Sequence, residues 1–198
     1  MKLTYQLFNF YGIPVNFNLM FLILLFFIEP ITVVCLFISI LIHELAHAFI
    51  ALQKNYFVSE VKIDVLYGFA SMDISNIPER DSWKIALAGP ISNLILSVIA
   101  VLIGSFYDFE FLSQLFVINI LLFMFNILPI YPMDGGRILR DILFMKMSSR
   151  KLAKKISSIV SLIFSSLLLI WHIIDFSLIG LVFSSLFIYY SLKELEWL

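Results

Sequence analysis

Two histidines four residues apart, with a glutamate beside the first, are the residues best suited to chemistry in this chain: His43-Glu44-Leu45-Ala46-His47. On a helix, positions i and i+4 share one face. Both imidazoles can then take a single Zn2+ at about 2.0 Å, while the adjacent carboxylate reaches the water to be activated there. The motif lies in an apolar run long enough to cross a bilayer, where an ionisable group costs ~3 kcal/mol on insertion scales. A lone histidine in such a run reads as a satisfied core residue. Two at ligand spacing beside a glutamate read as a metal site.

A catalytic zinc takes three protein ligands and keeps one position open. The candidate third ligand is Asp134, in the segment Asn126-Ile127-Leu128-Pro129-Ile130-Tyr131-Pro132-Met133-Asp134-Gly135-Gly136. Pro129, Pro132, Gly135 and Gly136 deny this stretch a regular helix. Irregular backbone at membrane depth is tolerated where protein or a water-filled cavity receives its polar groups, so the segment reads as site-building. With Lys54, Lys84 and Arg137 as membrane edges and ~1.5 Å rise per residue, Glu44, Asn93 and Asn126 lie about 13 to 17 Å deep. Asp134 reaches that depth only if the proline and glycine interruption folds it back. Asn93 follows Ala86-Leu87-Ala88-Gly89-Pro90-Ile91-Ser92, whose small residues admit a close neighbouring helix. Asn93 itself is open between packing and support of the site. The third histidine, His172 beside Trp171, reads as an interfacial anchor at the opposite membrane face.

The elements that must position these residues are membrane elements. The 198 residues are 62% hydrophobic and 14% charged, with a mean hydropathy of +1.02, whereas a soluble domain is nearer half apolar and a quarter charged. Apolar runs at 15–28, 31–52, 83–106, 111–130, 153–174 and 177–192 predict an all-α membrane protein of about six transmembrane helices in a single domain, 1–198. The first run is preceded only by Lys2 and followed by no small-residue cleavage site, so it is not expected to be a signal peptide. All 13 Lys and Arg residues fall in the N-terminal tail, the loops after the second and fourth runs with the first residues of the run that follows each, and the C-terminal tail. The other loops carry Glu29, Asp108, Glu110 and Asp175 and no basic residue. Six crossings with both termini cytoplasmic satisfy the positive-inside rule.

The basic stretch Arg137, Arg140, Lys146, Arg150, Lys151, Lys154 and Lys155 fits topology and anionic headgroups, and no nucleic-acid partner is expected. Cys35 is the lone cysteine and is expected to pack. In segment 58–74, Val61, Ile63 and Val65 alternate with Lys62 and Asp64 before Gly68, which predicts a small β-hairpin at the membrane face. Residues 9–16, around Gly12, add a second extended piece, and Asp81 or Ser82 is the expected N-cap of the third span.

His43-Glu44-Leu45-Ala46-His47, Gly89-Pro90-Ile91-Ser92-Asn93 and Asn126-x-x-Pro129-x-x-Pro132-Met133-Asp134-Gly135-Gly136 together resemble the site-2 proteases, most closely the short bacterial sporulation-protease type. The resemblance runs from Gly12-Ile13-Pro14 to about Arg140. It implies a six-span intramembrane zinc endopeptidase with one Zn2+ per chain held by His43, His47 and Asp134. Glu44 would be the catalytic base, and Asn126 would orient substrate or stabilise the oxyanion. It also implies a bacterial cell membrane and membrane-spanning or membrane-associated protein substrates, often anti-sigma or pro-sigma factors. Many members of that type carry a nucleotide-binding CBS domain. Residues 1–198 hold none, and neither nucleotide regulation nor a sporulation role is read from them.

Two other classes compete. A transporter or channel also places ionisable groups in spans, but gives no reason for this motif together with a distant aspartate. A non-catalytic membrane protein that holds client helices keeps the fold without needing Glu44. A closed structural zinc site needs four ligands, and only three candidates are found.

Overall fold

A computed structural model of the chain describes residues 4–63, 69–72, 77–107 and 109–196. Two strands come first, β1 (Thr4–Phe10) and β2 (Ile13–Asn18), followed by a 3-10 helix, Leu19–Phe26, and α1 (Pro30–Gln53). Strands β3 (Val58–Ile63) and β4 (Phe69–Met72) precede α2 (Glu79–Gly104), α3 (Glu110–Ile127), α4 (Asp134–Lys146), α5 (Arg150–Ile174) and α6 (Leu178–Glu196). In hydrocarbon a helix satisfies every backbone polar group internally, which is why the long apolar runs are helical. Among the described residues five helices, α1, α2, α3, α5 and α6, are long and apolar enough to cross a membrane. The chain is an integral multi-pass membrane protein.

About six crossing helices were expected. The difference lies in the run 15–28, where residues up to Asn18 are strand and only the eight residues Leu19–Phe26 are helical, as a 3-10 turn. Phe17, Val15 and Ile13 alternate along that strand and Pro14 cannot donate, so an apolar run that reads as helix by hydropathy pairs as sheet instead. The expected hairpin is part of a larger, four-stranded sheet of order β1-β2-β3-β4. β1 and β2 are antiparallel, turning at Tyr11 and Gly12 with φ of +48° and +84°. β2 and β3 are parallel, with Val15 opposite Val61 and Phe17 opposite Ile63. β3 and β4 are antiparallel; the turn expected at Gly68, with Asp64 and Val65, lies outside the described residues.

The chain packs as two compact units, Met1–Ile77 with Ala88–Met124, and Pro78–Leu87 with Phe125–Leu198. In the first, Phe21, Val33 and Ile63 form a buried cluster with Phe17, Leu24, Leu36, Phe37, Ile40 and Leu41 around it. The Phe17, Phe21 and Phe37 rings meet at 5.4 to 5.9 Å. This cluster seats the sheet and the 3-10 helix against α1. Cys35 packs as expected, buried with Ala100 and Leu115, its thiol 3.7 Å from the Phe111 carbonyl.

In the second unit α5 and α6 form a hairpin. Buried Ser161 and Ser191 join their hydroxyls at 2.5 Å, and His172 Nδ1 lies 2.7 Å from Ser184 Oγ. His172 thus ties two helices together near their turn. The N-terminus of α2 also belongs to this unit and begins at Glu79 rather than at an Asp81 or Ser82 cap: the amides of both residues already donate to the Pro78 carbonyl. Glu79 and Asp81 in the first turn complement the helix dipole.

Candidate metal centre

In the first unit, one face of α1 carries His43, Glu44 and His47, which are 7%, 6% and 5% exposed. One ligand atom from each of the three lies within 4.8 Å of the others. The two Nε2 atoms are 3.1 Å apart and the rings are nearly perpendicular, at 88°. Two nitrogens bound to one tetrahedral zinc at about 2.0 to 2.1 Å lie roughly 3.3 Å apart, so the pair as it stands fits the ion. Two buried imidazoles and a carboxylate are also the donor chemistry zinc favours.

The approach of α2 shapes the centre. A Cβ on Gly89 would meet His47 Nε2 and would lie 2.6 Å from His43 Cε1, so glycine leaves both imidazoles room to stand where they do against α2. Pro90 follows inside a helix that continues unbroken to Gly104, and the Ser92 hydroxyl donates to the Gly89 carbonyl at 2.7 Å. One turn on, fully buried Asn93 presents Oδ1 to His43 Nδ1 at 2.5 Å. A metal-binding histidine ordinarily donates its second ring nitrogen to such an acceptor. Asn93, left open between packing and support in the sequence, therefore touches the site directly.

Behind Asn93 stand Asn119 of α3 and Ser39 of α1, both fully buried. The sequence reading passed over these two. The available signal was a polar residue in an apolar span, with Ser39 one turn before His43.

Asn126, Pro129, Pro132, Asp134 and Gly135 belong to the second unit. Asn126 is in the last turn of α3, Pro129 and Pro132 lie in the irregular link that follows, and Asp134 is the first residue of α4. Gly135 and Gly136 sit within the first turn of α4 and do not interrupt it. They are needed for space: a Cβ on Gly136 would lie 2.7 Å from the Ile130 carbonyl oxygen, and one on Gly135 would overlap the carbonyls of Ile127 and Leu128. The link folds tightly over the helix that follows it.

The link is tied down by α5. The buried Tyr131 amide donates to Ser161 Oγ at 2.8 Å, and its phenol lies 3.2 Å from Ser157 Oγ. Burial pushes the Tyr131 phenol above its ordinary range, with the Ser157 bond opposing that shift, so it stays protonated at neutral pH. On α4, buried Asp141 is held by the Arg140 guanidinium at 2.8 Å.

Comparison with known proteins agrees with these features. The chain is 29% identical to a zinc metalloprotease of Methanocaldococcus jannaschii over 98% of its length, and 29% identical to stage IV sporulation protein FB of Bacillus subtilis over 69%. It spans 61% and 48% of the lengths of these relatives. Its fold matches the site-2 protease from Methanocaldococcus jannaschii with a TM-score of 0.72 and 25% identity, covering 97% of this chain and 95% of that one. Residues 31–109 and 108–171, which contain every residue of the three motifs, match the family profile, and the protein is a member of peptidase family M50.

Proposed function

We propose that this chain is a zinc-dependent intramembrane endopeptidase whose 198 residues form one metalloprotease domain. The observation that carries the reading is the buried His43, Glu44 and His47 triad, with its donor atoms within 4.8 Å, on a helix able to cross the membrane. His43 and His47 supply two ligands and Asp134, assigned from its motif, the third, for one zinc per chain. Zinc held there polarises a scissile carbonyl and makes water acidic enough to be deprotonated near pH 7.

Glu44 takes the proton as water attacks the carbonyl carbon, then returns it to the leaving amine nitrogen. Asn126 orients the substrate or receives charge on the carbonyl oxygen. A helical substrate hides its carbonyls in hydrogen bonds, so it must unwind locally before attack. Among the described residues the order β1-β2-β3-β4 places β4 at the edge of the sheet, and an unwound segment can add there as a strand.

Substrates in this reading are membrane-spanning or membrane-associated proteins, with anti-sigma and pro-sigma factors as the class suggested by the motifs. The membrane is a bacterial cell membrane with both termini cytoplasmic. Six crossings are then needed. The reading assigns the sixth to the run 15–28, where β2 and the 3-10 helix set Phe17 and Phe21 against Phe37 of α1.

The test is metal content of the detergent-purified chain together with the membrane proteome of cells expressing it. Near-stoichiometric zinc that falls in His43→Ala and Asp134→Ala but persists in Glu44→Gln, with uncleaved membrane proteins accumulating in Glu44→Gln cells, is the expected result. Zinc unaffected by Asp134→Ala removes the third ligand. A proteome identical in wild type and Glu44→Gln favours the client-holding alternative.

A further inference from the structure

Behind His43 runs a chain of buried side chains whose hydrogen-bond direction is decided by main-chain carbonyls. A carbonyl oxygen can only accept, so each contact with one fixes the donor. Ser39 Oγ lies 2.6 Å from the Cys35 carbonyl and must donate to it, which leaves the hydroxyl oxygen to accept. Asn119 has one amide-side atom 2.8 Å from the Leu115 carbonyl and 2.8 Å from Ser39 Oγ; that atom must be the nitrogen, giving both hydrogens away. Its oxygen therefore faces Asn93 and accepts at 2.8 Å. The Asn93 nitrogen spends its hydrogens on Asn119 Oδ1 and, at 3.3 Å, on the Ser39 carbonyl. Only its oxygen is left for His43 Nδ1, at 2.5 Å. Turning over either amide would set an oxygen against a carbonyl oxygen in a dry interior, with one unsatisfied group at each end.

We infer that Asn119 and Ser39 are positioning residues that fix the tautomer of His43: they hold the Asn93 carboxamide with its oxygen toward the imidazole, so that Nδ1 keeps the proton and Nε2 presents its lone pair. An imidazole in water samples both tautomers, and one protonated at Nε2 cannot bind a metal through that atom. The direction of the chain thus runs from two turns of backbone, at Cys35 and Leu115, to the atom that faces His47. The consequence for zinc rests on the proposed metal reading, whereas the tautomer itself does not.

The experiment uses the metal-free full chain in detergent, labelled with 15N-histidine, with the His43→Gln spectrum assigning the His43 signals. Ring-nitrogen shifts report which nitrogen carries the proton. Zinc affinity is then measured separately by competition with a chelator. In the wild type a protonated Nδ1 and bare Nε2 are expected. In Asn119→Leu the Nε2-protonated form is expected to appear, with zinc affinity down roughly 10- to 100-fold, the range seen for groups that orient a metal ligand. Ser39→Ala, which removes little volume, is expected to move both readouts in the same direction by less, and it stands as the test if Asn119→Leu fails to fold. A wild-type His43 protonated at Nε2, or a tautomer that neither variant moves, overturns the inference. Zinc binding in the wild type with equal affinity in both variants also overturns it while leaving the metal reading intact. A wild type with the Nδ1 proton that binds no zinc supports the tautomer and sinks the metal reading instead.

Discussion

The two motif regions reach order by opposite means. On α1, His43, Glu44 and His47 are set by the period of an uninterrupted helix, and the groups behind them are side chains. Between α3 and α4 the backbone is irregular, and its order comes from close approach: two glycines against main-chain carbonyls and one serine receiving a main-chain amide. A regular helix can hold two ligands at i and i+4 with no backbone group exposed to lipid. A segment that leaves the helix must have each freed amide and carbonyl satisfied from elsewhere. Substitutions should therefore act on chemistry in the first region and, apart from the motif-assigned Asn126 and Asp134, on stability in the second.

The largest effect should come from His43→Ala or His47→Ala, which take zinc from near one per chain to background without changing helical content; elemental analysis and circular dichroism together check this. Glu44→Gln should retain zinc and lose about 10²- to 10⁴-fold in cleavage rate, the usual contribution of a general base, as read with a membrane protein found to accumulate in that variant. The paired glycines sharpen the contrast. Gly135→Ala meets main-chain carbonyls and should destabilise the chain by about 1–3 kcal/mol, the common cost of overpacking. Gly89→Ala meets imidazoles that can turn aside, so it should weaken zinc binding more than it lowers the melting temperature. Equal losses of stability in the two would break the comparison. Smallest in its effect on the metal is Ser161→Ala, which leaves the buried Tyr131 amide without its acceptor at a cost of about 1–3 kcal/mol, visible as a lower melting temperature.

Much of this was legible in the residues. The triad was readable because ligand spacing and helical period coincide, and β3 because Val61 and Ile63 alternate with Lys62. The extended piece expected over 9–16 is divided by a turn at Tyr11 and Gly12 into the ends of β1 and β2. What escaped depends on neighbours distant in sequence. Hydropathy reads 15–28 as a helix because it carries no record that β2 pairs with a strand more than forty residues on. Gly135 and Gly136 read as breakers, since glycine disfavours helices locally, yet here they are helical because carbonyls leave no room for a side chain. Ser39 and Asn119 each look like ordinary packing residues in a span. Only their mutual contacts give them a direction.

The strand β2 has a consequence for how the chain enters its membrane. A hydrophobic helix can leave the translocation machinery alone, since its hydrogen bonds are internal, but β2 takes its partners from β1 and β3. Val15, Asn16 and Phe17 find their partners in Val61, Lys62 and Ile63, so the pairing of β2 is complete only once residue 63 has been made. The N-terminal segment therefore joins the sheet after α1 has been synthesised, as a late step of biogenesis.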